Sequence, residues 1–241
     1  KEKIAVAGSK SGYVLVLKAT DGKPLYKPIP ISLHLNNVND NNPNANLTLE
    51  SAEGKVICPA NNGGVQASPA FADGNIYVIG TTLSPDFPTT SGAYNTTFSN
   101  SFGFYTTDAF IAKLDRDLTK LLASTFLGGS NWDRGYSLAI KSDGSIYVAG
   151  ETVSYDFPTT KGAYDTSYNG GDSSGDDVYV AKLDRDLMYL LDSTFFGGSG
   201  DDHFRSLAID TVGNIYLTGI TTSPDFPMIP DAYDKSLRFE L

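Results

Sequence analysis

"SPDFPTTSGAY" occupies Ser84–Tyr94, "SYDFPTTKGAY" occupies Ser154–Tyr164, and a worn copy, "SPDFPMIPDAY", runs over Ser223–Tyr233. A phrase tied to one catalytic centre occurs once, whereas a phrase that belongs to a building rule occurs once per module. Other anchors move with it. "DGNIYVIG", containing Gly74, returns as "DGSIYVAG" at Gly144 and "VGNIYLTG" at Gly213, with spacings of 70 and 69. "AKLDRDL" starts at Ala112 and Ala181, and "GGS" at Gly128 and Gly197, each pair 69 residues apart. Self-similarity at one fixed period is the signature of a repeat architecture.

Within one period the strand signals keep a fixed order. "RGYSLAIKSDG" alternates into a short strand that ends on an Asp-Gly turn, and "SIYVAGE" follows at once, so the two form a hairpin. After the Asp-Phe-Pro insertion come "DDVYVAKLD", a polar "RDL" turn, "MYLLDSTFF" and the closing "GGSGDD". Four antiparallel strands per repeat, with no helix between copies, predict an all-β chain built of β-propeller blades. The expected division is a partial blade over 1–31, an Asn-rich loop over 32–64, blade repeats over 65–134 and 135–203, and a partial repeat over 204–241. Strands are expected at Ile4–Ser9, Tyr13–Ala19 and Pro24–Ile31, then four, four and two. That is slightly more than three blades, an open arc or part of a larger propeller.

The repeated phrase falls between the second and third strands of each blade. Its Pro fixes φ and cannot donate to a ladder, so it ends the second strand. Its Asp and Thr-Thr can bond nearby backbone amides, and Phe87 and Tyr94 are expected to clamp against the blade surface.

These blocks resemble the bacterial and archaeal repeat often called the seven-bladed β-propeller repeat. "GNIYVIGTTLSPDFPTTSGAY", "DAFIAKLDRDL" and "LLASTFLGGS" carry the likeness, which covers residues 65–241. The third copy departs at "PMIPDAY". The resemblance implies a secreted or cell-surface protein and supplies no shared catalytic residues.

Residues 1–64 lack the repeat. "KIAVAGSKSGYVLVLKATDGKPLYKPIPI" and "GKVICPANNGGVQASPAFADGNIYV" are similar to blades of quinoprotein dehydrogenases, which depend on pyrroloquinoline quinone (PQQ). Lys18, Asp21 and Tyr26 stand where that pattern has Asp, Thr and Trp, so blade docking is altered. That family implies a quinone beside a metal ion, often against a disulfide of neighbouring cysteines, with an Asp as base. Cys58 is the only cysteine, so that disulfide cannot form within the chain. A fragment of such a dehydrogenase is therefore the enzymatic alternative. Between the two dialects, "HLNNVNDNNPNANLTLESAEG" is too poor in large apolar residues to make a strand of its own, and is expected to be an exposed rim loop.

The chain has 241 residues, 40% hydrophobic, with a net charge of −10. Such an acidic balance argues against nucleic acid, whose phosphates need a basic face. No signal peptide or apolar run of membrane-spanning length occurs. The chain opens without Met and stops inside a repeat, which fits a processed chain or a window from a longer one. Sequons at Asn46 and Asn95 are candidate glycan acceptors and favour an extracellular, cell-surface or periplasmic setting.

Acidic, glycine-rich loops are the best ligand candidates. Asp172, Asp176 and Asp177 in "NGGDSSGDD", with Asp201 and Asp202 in "GGSGDD", offer the hard oxygens a structural Ca²⁺ favours, although neither loop has dedicated calcium spacing. His34 and His203 are the only histidines. His203 follows two aspartates, the pattern of a surface histidine. One repeat earlier Arg134 takes the matching place, offset by one or two positions. Motifs for serine, zinc-protease or nucleotide chemistry are absent. Trp132, Tyr136, Phe102, Phe104 and Tyr105 leave a carbohydrate-binding reading open.

The sequence thus favours a non-catalytic extracellular scaffold or interaction module. Its incomplete blades expose sheet edges and are expected to meet a protein partner or a neighbouring copy.

Overall fold

A computed structural model describes residues 67, 69–99, 106–170 and 175–235 in full. Earlier in the chain it describes the strand backbones of 4–8, 13–18, 29–30, 47–51, 54–58 and 64–65. The strands are β1 Ile4–Gly8, β2 Tyr13–Lys18, β3 Ile29–Pro30, β4 Leu47–Ser51, β5 Gly54–Cys58, β6 Gly64–Val65, β7 Ala70–Ala72 and β8 Asn75–Thr82. They continue as β9 Asp108–Asp115, β10 Leu121–Leu127, β11 Asp133–Ile140, β12 Ile146–Thr152, β13 Asp177–Leu183, β14 Leu190–Phe196, β15 Asp202–Ile209 and β16 Ile215–Thr221. Among the described residues there is no helix long and apolar enough to cross a membrane.

The second repeat is a complete blade, ordered β11-β12-β13-β14 with every neighbour antiparallel. The first has β8, β9 and β10 in the same order, and its opening strand comes in two pieces, β6 and β7, that both pair β8. Pro69 lies between the pieces and has no N–H to keep a ladder continuous. The third contributes the hairpin β15-β16. The chain is all-β, and these are propeller blades. Near the N-terminus, β1, β2 and β3 form one sheet, as expected, and Ile29–Pro30 of the third strand lie among the described backbones. The Asn-rich segment departs from its expectation as a loop. Its Leu-Thr-Leu alternation becomes β4, which pairs β5 from Leu47 opposite Cys58 to Ser51 opposite Gly54. A period of two outweighed the polar composition around it.

Period-2 alternation explains why the middle strands look continuously apolar: both of their faces are covered. Ile146 and Val148 of β12, with Tyr179, Ala181 and Leu183 of β13, cluster with Tyr77, Ile79, Ala109 and Ile111 of the first blade. The alternate residues, Tyr147, Ala149, Val178 and Val180, cluster with Phe204 and Leu207 of the third. Blades therefore stack face to face. Burying a large side chain of this kind contributes roughly 1.5–3 kcal/mol.

The repeated insertion does more than clamp. Phe157 is buried, 4.3 Å from the Tyr179 ring and 5.9 Å from Phe195; Phe87 repeats this with Phe110 at 4.3 Å and Phe126 at 6.0 Å. Beyond the aromatic ring the loop runs along the outermost strand and bonds it. Thr90 N–H donates to Ser124 O (3.1 Å) and Phe126 N–H to Asn95 O (3.0 Å). One repeat on, Thr160 N–H donates to Ser193 O (3.0 Å) and Phe195 N–H to Asp165 O (3.1 Å). The insertion thus covers the edge that β10 and β14 would otherwise expose. Tyr94 reaches farther than its own blade: it packs into the cluster shared with the second blade.

Candidate functional site

Two kinds of polar site sit where successive blades meet, one repeated and one unique. The repeated site begins with the "GGS" connector. Ser130 donates its N–H (2.8 Å) and its hydroxyl (2.9 Å) to Asp156 Oδ1, and Asn131 N–H donates to Ser154 Oγ (2.8 Å). Ser199, Gly200, Asp225 and Ser223 make the same bonds one repeat later. The Asp of the repeated phrase therefore fastens the connector arriving from the blade before.

Beneath each connector lie two buried carboxylates. Asp133 is fully buried and accepts from Thr152 Oγ1, from Gly129 N–H (2.7 Å) and from Ser154 Oγ (2.9 Å). Asp108 is fully buried too; its Oδ2 accepts from Ser99 N–H (3.0 Å), while its Oδ1 has no partner among the described groups. Both crowd Gly128, where an added Cβ would lie 2.8 Å from Asp133 Oδ2 and 3.0 Å from Asp108 Oδ1. Burial pushes Asp108 up to about 7, with the Asp156 charge adding to it, and pushes Asp133 up to about 8. Two carboxyls this close to one point titrate as a unit that keeps a proton at neutral pH. Asp177 and Asp202 are the same pair at the next junction, crowding Gly197. Burial raises Asp177 to about 6.

The five aspartates of the two candidate cation loops are divided. Asp177 and Asp202 come together in this buried pair. Asp201 is exposed and holds Thr222 through its backbone. Asp176 goes to the unique site, and Asp172 lies outside the described residues. Of the two sequons, Asn46 also lies outside them. Asn95 sits on a turn at the outer edge of its blade, its Oδ1 accepting from Thr97 N–H (2.8 Å).

The unique site consists of Arg134, Glu151, Asp176 and His203. Arg134 and Glu151 are cross-strand neighbours in the β11–β12 register. Glu151 shares its strand face with Tyr147 and Ala149, and Asp176 shares its face with Val178 and Val180, so both point at the third blade. His203, on β15, meets them there. Its Nδ1 lies 3.5 Å from Glu151 Oε1 and 3.7 Å from Asp176 Oδ2. Arg134 Nη1 takes the other oxygens, Glu151 Oε2 at 3.5 Å and Asp176 Oδ1 at 3.1 Å. Glu151 is buried, and a buried carboxylate requires such partners. Phe204 N–H supplies one more, donating to Oε1 at 2.9 Å. Tyr136 hydrogen-bonds the same carboxylate, and burial with that charge pushes its phenol up to about 12.

Two sequence expectations change here. His203 and Arg134 are true repeat equivalents, since Asp133 and Asp202 start matching strands, with no offset between them. His203 is also a member of a charged cluster rather than a solitary surface histidine. Glu151 carried no motif, yet the repeat marks it by contrast: the same register holds Thr81 in the first copy and Ile220 in the third. Likewise Asp176 stands where the first copy has Thr107. Of the aromatic candidates, Trp132 lies over the Arg134 guanidinium, 5.5 Å from ring centroid to carbon, and Tyr136 stacks on Phe204 at 6.5 Å. Phe102, Phe104 and Tyr105 lie outside the described residues, as do Asp21, Tyr26, His34 and the side chains of Lys18 and Cys58.

Beside the cluster a cavity of about 380 Å³ opens between the second and third blades, lined by Val178, Phe196, Phe204, Leu217, Ile220 and Phe226. At the preceding junction Tyr179 and Phe195, from the third and fourth strands of the following blade, fill the corresponding space around Phe157. Among the described residues the Phe226 ring meets one other ring, that of Phe196, 5.3 Å away across the junction. β16 has one partner, β15, and its other edge is unpaired among the described residues.

A family model described as a beta-propeller repeat matches residues 193–227, from the last strand of the second blade into the insertion of the third. The chain is thus a β-propeller module. No curated protein matches it.

Proposed function

We propose that the chain is a non-catalytic scaffold and interaction module of the extracellular space or cell surface. The residues that recur are spent on joining blades, and the acidic charge and the Asn95 sequon support an exported setting. One observation carries the reading: the socket beside β16 has the shape that third and fourth repeat strands fill one junction earlier. Its occupant is a strand pair of this chain's own pattern, Asp-x-Tyr-x-Ala-Lys-Leu followed by Ser-Thr-Phe, supplied by a longer polypeptide or a neighbouring copy.

A synthetic peptide of residues 175–197, which carries β13 and β14, tests this directly. It should bind the chain saturably, pairing its Leu183 with Ile215 as Leu183 pairs Ile146, and a Tyr179→Ser peptide should bind roughly tenfold more weakly, since a large buried ring is lost. Absence of binding by a monomeric chain overturns the docking reading. Quinone-dependent dye reduction on adding PQQ and Ca²⁺ overturns the non-catalytic one.

A further inference from the structure

We infer that Glu151, Asp176 and His203 form a binding site for a first-row divalent transition metal, zinc by preference, that staples the second blade to the third. The three donor atoms lie within 4.8 Å of one another. Ligand atoms about 2.1 Å from a tetrahedral zinc lie roughly 3.4 Å apart. His203 Nδ1 stands 3.5 Å and 3.7 Å from the two carboxylate oxygens, already near that spacing.

The division of oxygens supports the assignment. Each carboxylate gives one oxygen to Arg134 and turns the other towards the imidazole. Arg134 therefore acts as an outer partner that orients both ligands, the role such contacts play around bound metals. With neutral His203 the four side chains sum to one negative charge, which suits a divalent cation. Glu151 is buried, whereas the His203 side chain is 36% exposed, so the site has a rigid floor and a solvent-facing opening for a water as fourth ligand. One imidazole among three protein ligands points away from calcium, which takes six to eight oxygens. Residues from both blades are required, and neither junction partner, Thr81 nor Thr107, offers a carboxylate one repeat earlier.

The test uses the chelator-treated chain and zinc itself, followed by calorimetric titration. One zinc per chain should bind, and His203→Gln and Asp176→Asn should each weaken it roughly 10- to 100-fold or more. His34→Gln and Cys58→Ser, which remove the other histidine and the lone thiol, should leave it unchanged. Cobalt should give visible absorption that His203→Gln abolishes, and excess Ca²⁺ should not compete. Comparable melting temperatures of the variants in chelator establish that they fold. No zinc binding by the parent chain, or binding indifferent to both His203 and Asp176, overturns the site.

Discussion

Tyr94 of the first blade donates its backbone N–H to the carbonyl of Leu187 in the second, at 2.8 Å. Leu187 is fully buried and holds a left-handed φ of 57°, a conformation that a branched side chain adopts only when its surroundings enforce it. The tyrosine is therefore a latch on the neighbouring blade's last turn. Tyr94→Ala should cost about 2–4 kcal/mol, as for a large side chain lost from a packed cluster. Its repeat equivalent, Tyr164, is 70% exposed, and Tyr164→Ala should cost less than about 0.5 kcal/mol. Urea midpoints of the two variants check the contrast, and equal losses would refute it.

The aromatic anchor should behave in the same graded way. Phe157 is buried against two rings of its own blade, and Phe157→Ala should destabilise the chain by about 3–5 kcal/mol. Phe226 is half-buried with one ring partner among the described residues, so Phe226→Ala should cost well under half as much. Thermal unfolding followed by tyrosine fluorescence measures both.

Stability should fall as pH rises from about 4 to about 8. Unfolded aspartates ionise near their ordinary value of 3.8, whereas burial keeps Asp108 and Asp133 protonated up to about 7 and about 8. Their contribution is complete below pH 4, where both states hold the protons. It then diminishes by about 1.4 kcal/mol per pH unit for each proton the fold retains, until the folded pair ionises. Turn aspartates such as Asp143 and Asp225, held low by hydrogen bonds from Ser145 and Ser199, act only below this window. Denaturant midpoints at pH 5 and pH 8.5 should differ, and Asp108→Asn should flatten the difference. A midpoint that rises over this range would falsify the shared-proton description.

At Gly128 the carboxylate pair leaves no room for a side chain. Gly128→Ala places a methyl 2.8 Å from Asp133 Oδ2 and 3.0 Å from Asp108 Oδ1, and should cost about 1–3 kcal/mol through overpacking. Calorimetry should register the loss as a lower transition temperature. An unchanged transition would mean that the carboxylates yield freely.

What the sequence made legible is whatever repeats. Gly74, Gly144 and Gly213 fix the period, and alternation in "SIYVAGE" and "DDVYVAKLD" yields β12 and β13 with the right partners. The insertion after Phe87 was legible as a turn, but not as the cover of β10, because Thr90, through its N–H and its hydroxyl, and Asn95, through its backbone, bond Ser124, Thr125 and Phe126, a strand about 30 residues away that a local pattern does not name. The unique cluster was hidden for a different reason. Arg134, Glu151, Asp176 and His203 come from four separate strand ends and converge only through sheet register and blade stacking. Their trace is a departure from the repeat, Thr81 becoming Glu151 and Thr107 becoming Asp176. In the Asn-rich segment, composition masked the two-residue period that makes β4.

The connector bonds and the tyrosine latch give the array a direction. Each blade throws its fastenings forward: Ser130 onto Asp156, Ser199 onto Asp225, Tyr94 onto Leu187. Under mechanical load such an array behaves like overlapping roof tiles. Tension applied at the C-terminal end lifts the last tile first and frees the one beneath it only afterwards. In a force spectrometer the molecule would lengthen in discrete steps, each releasing one period of chain, with the least secured unit giving way before the latched ones.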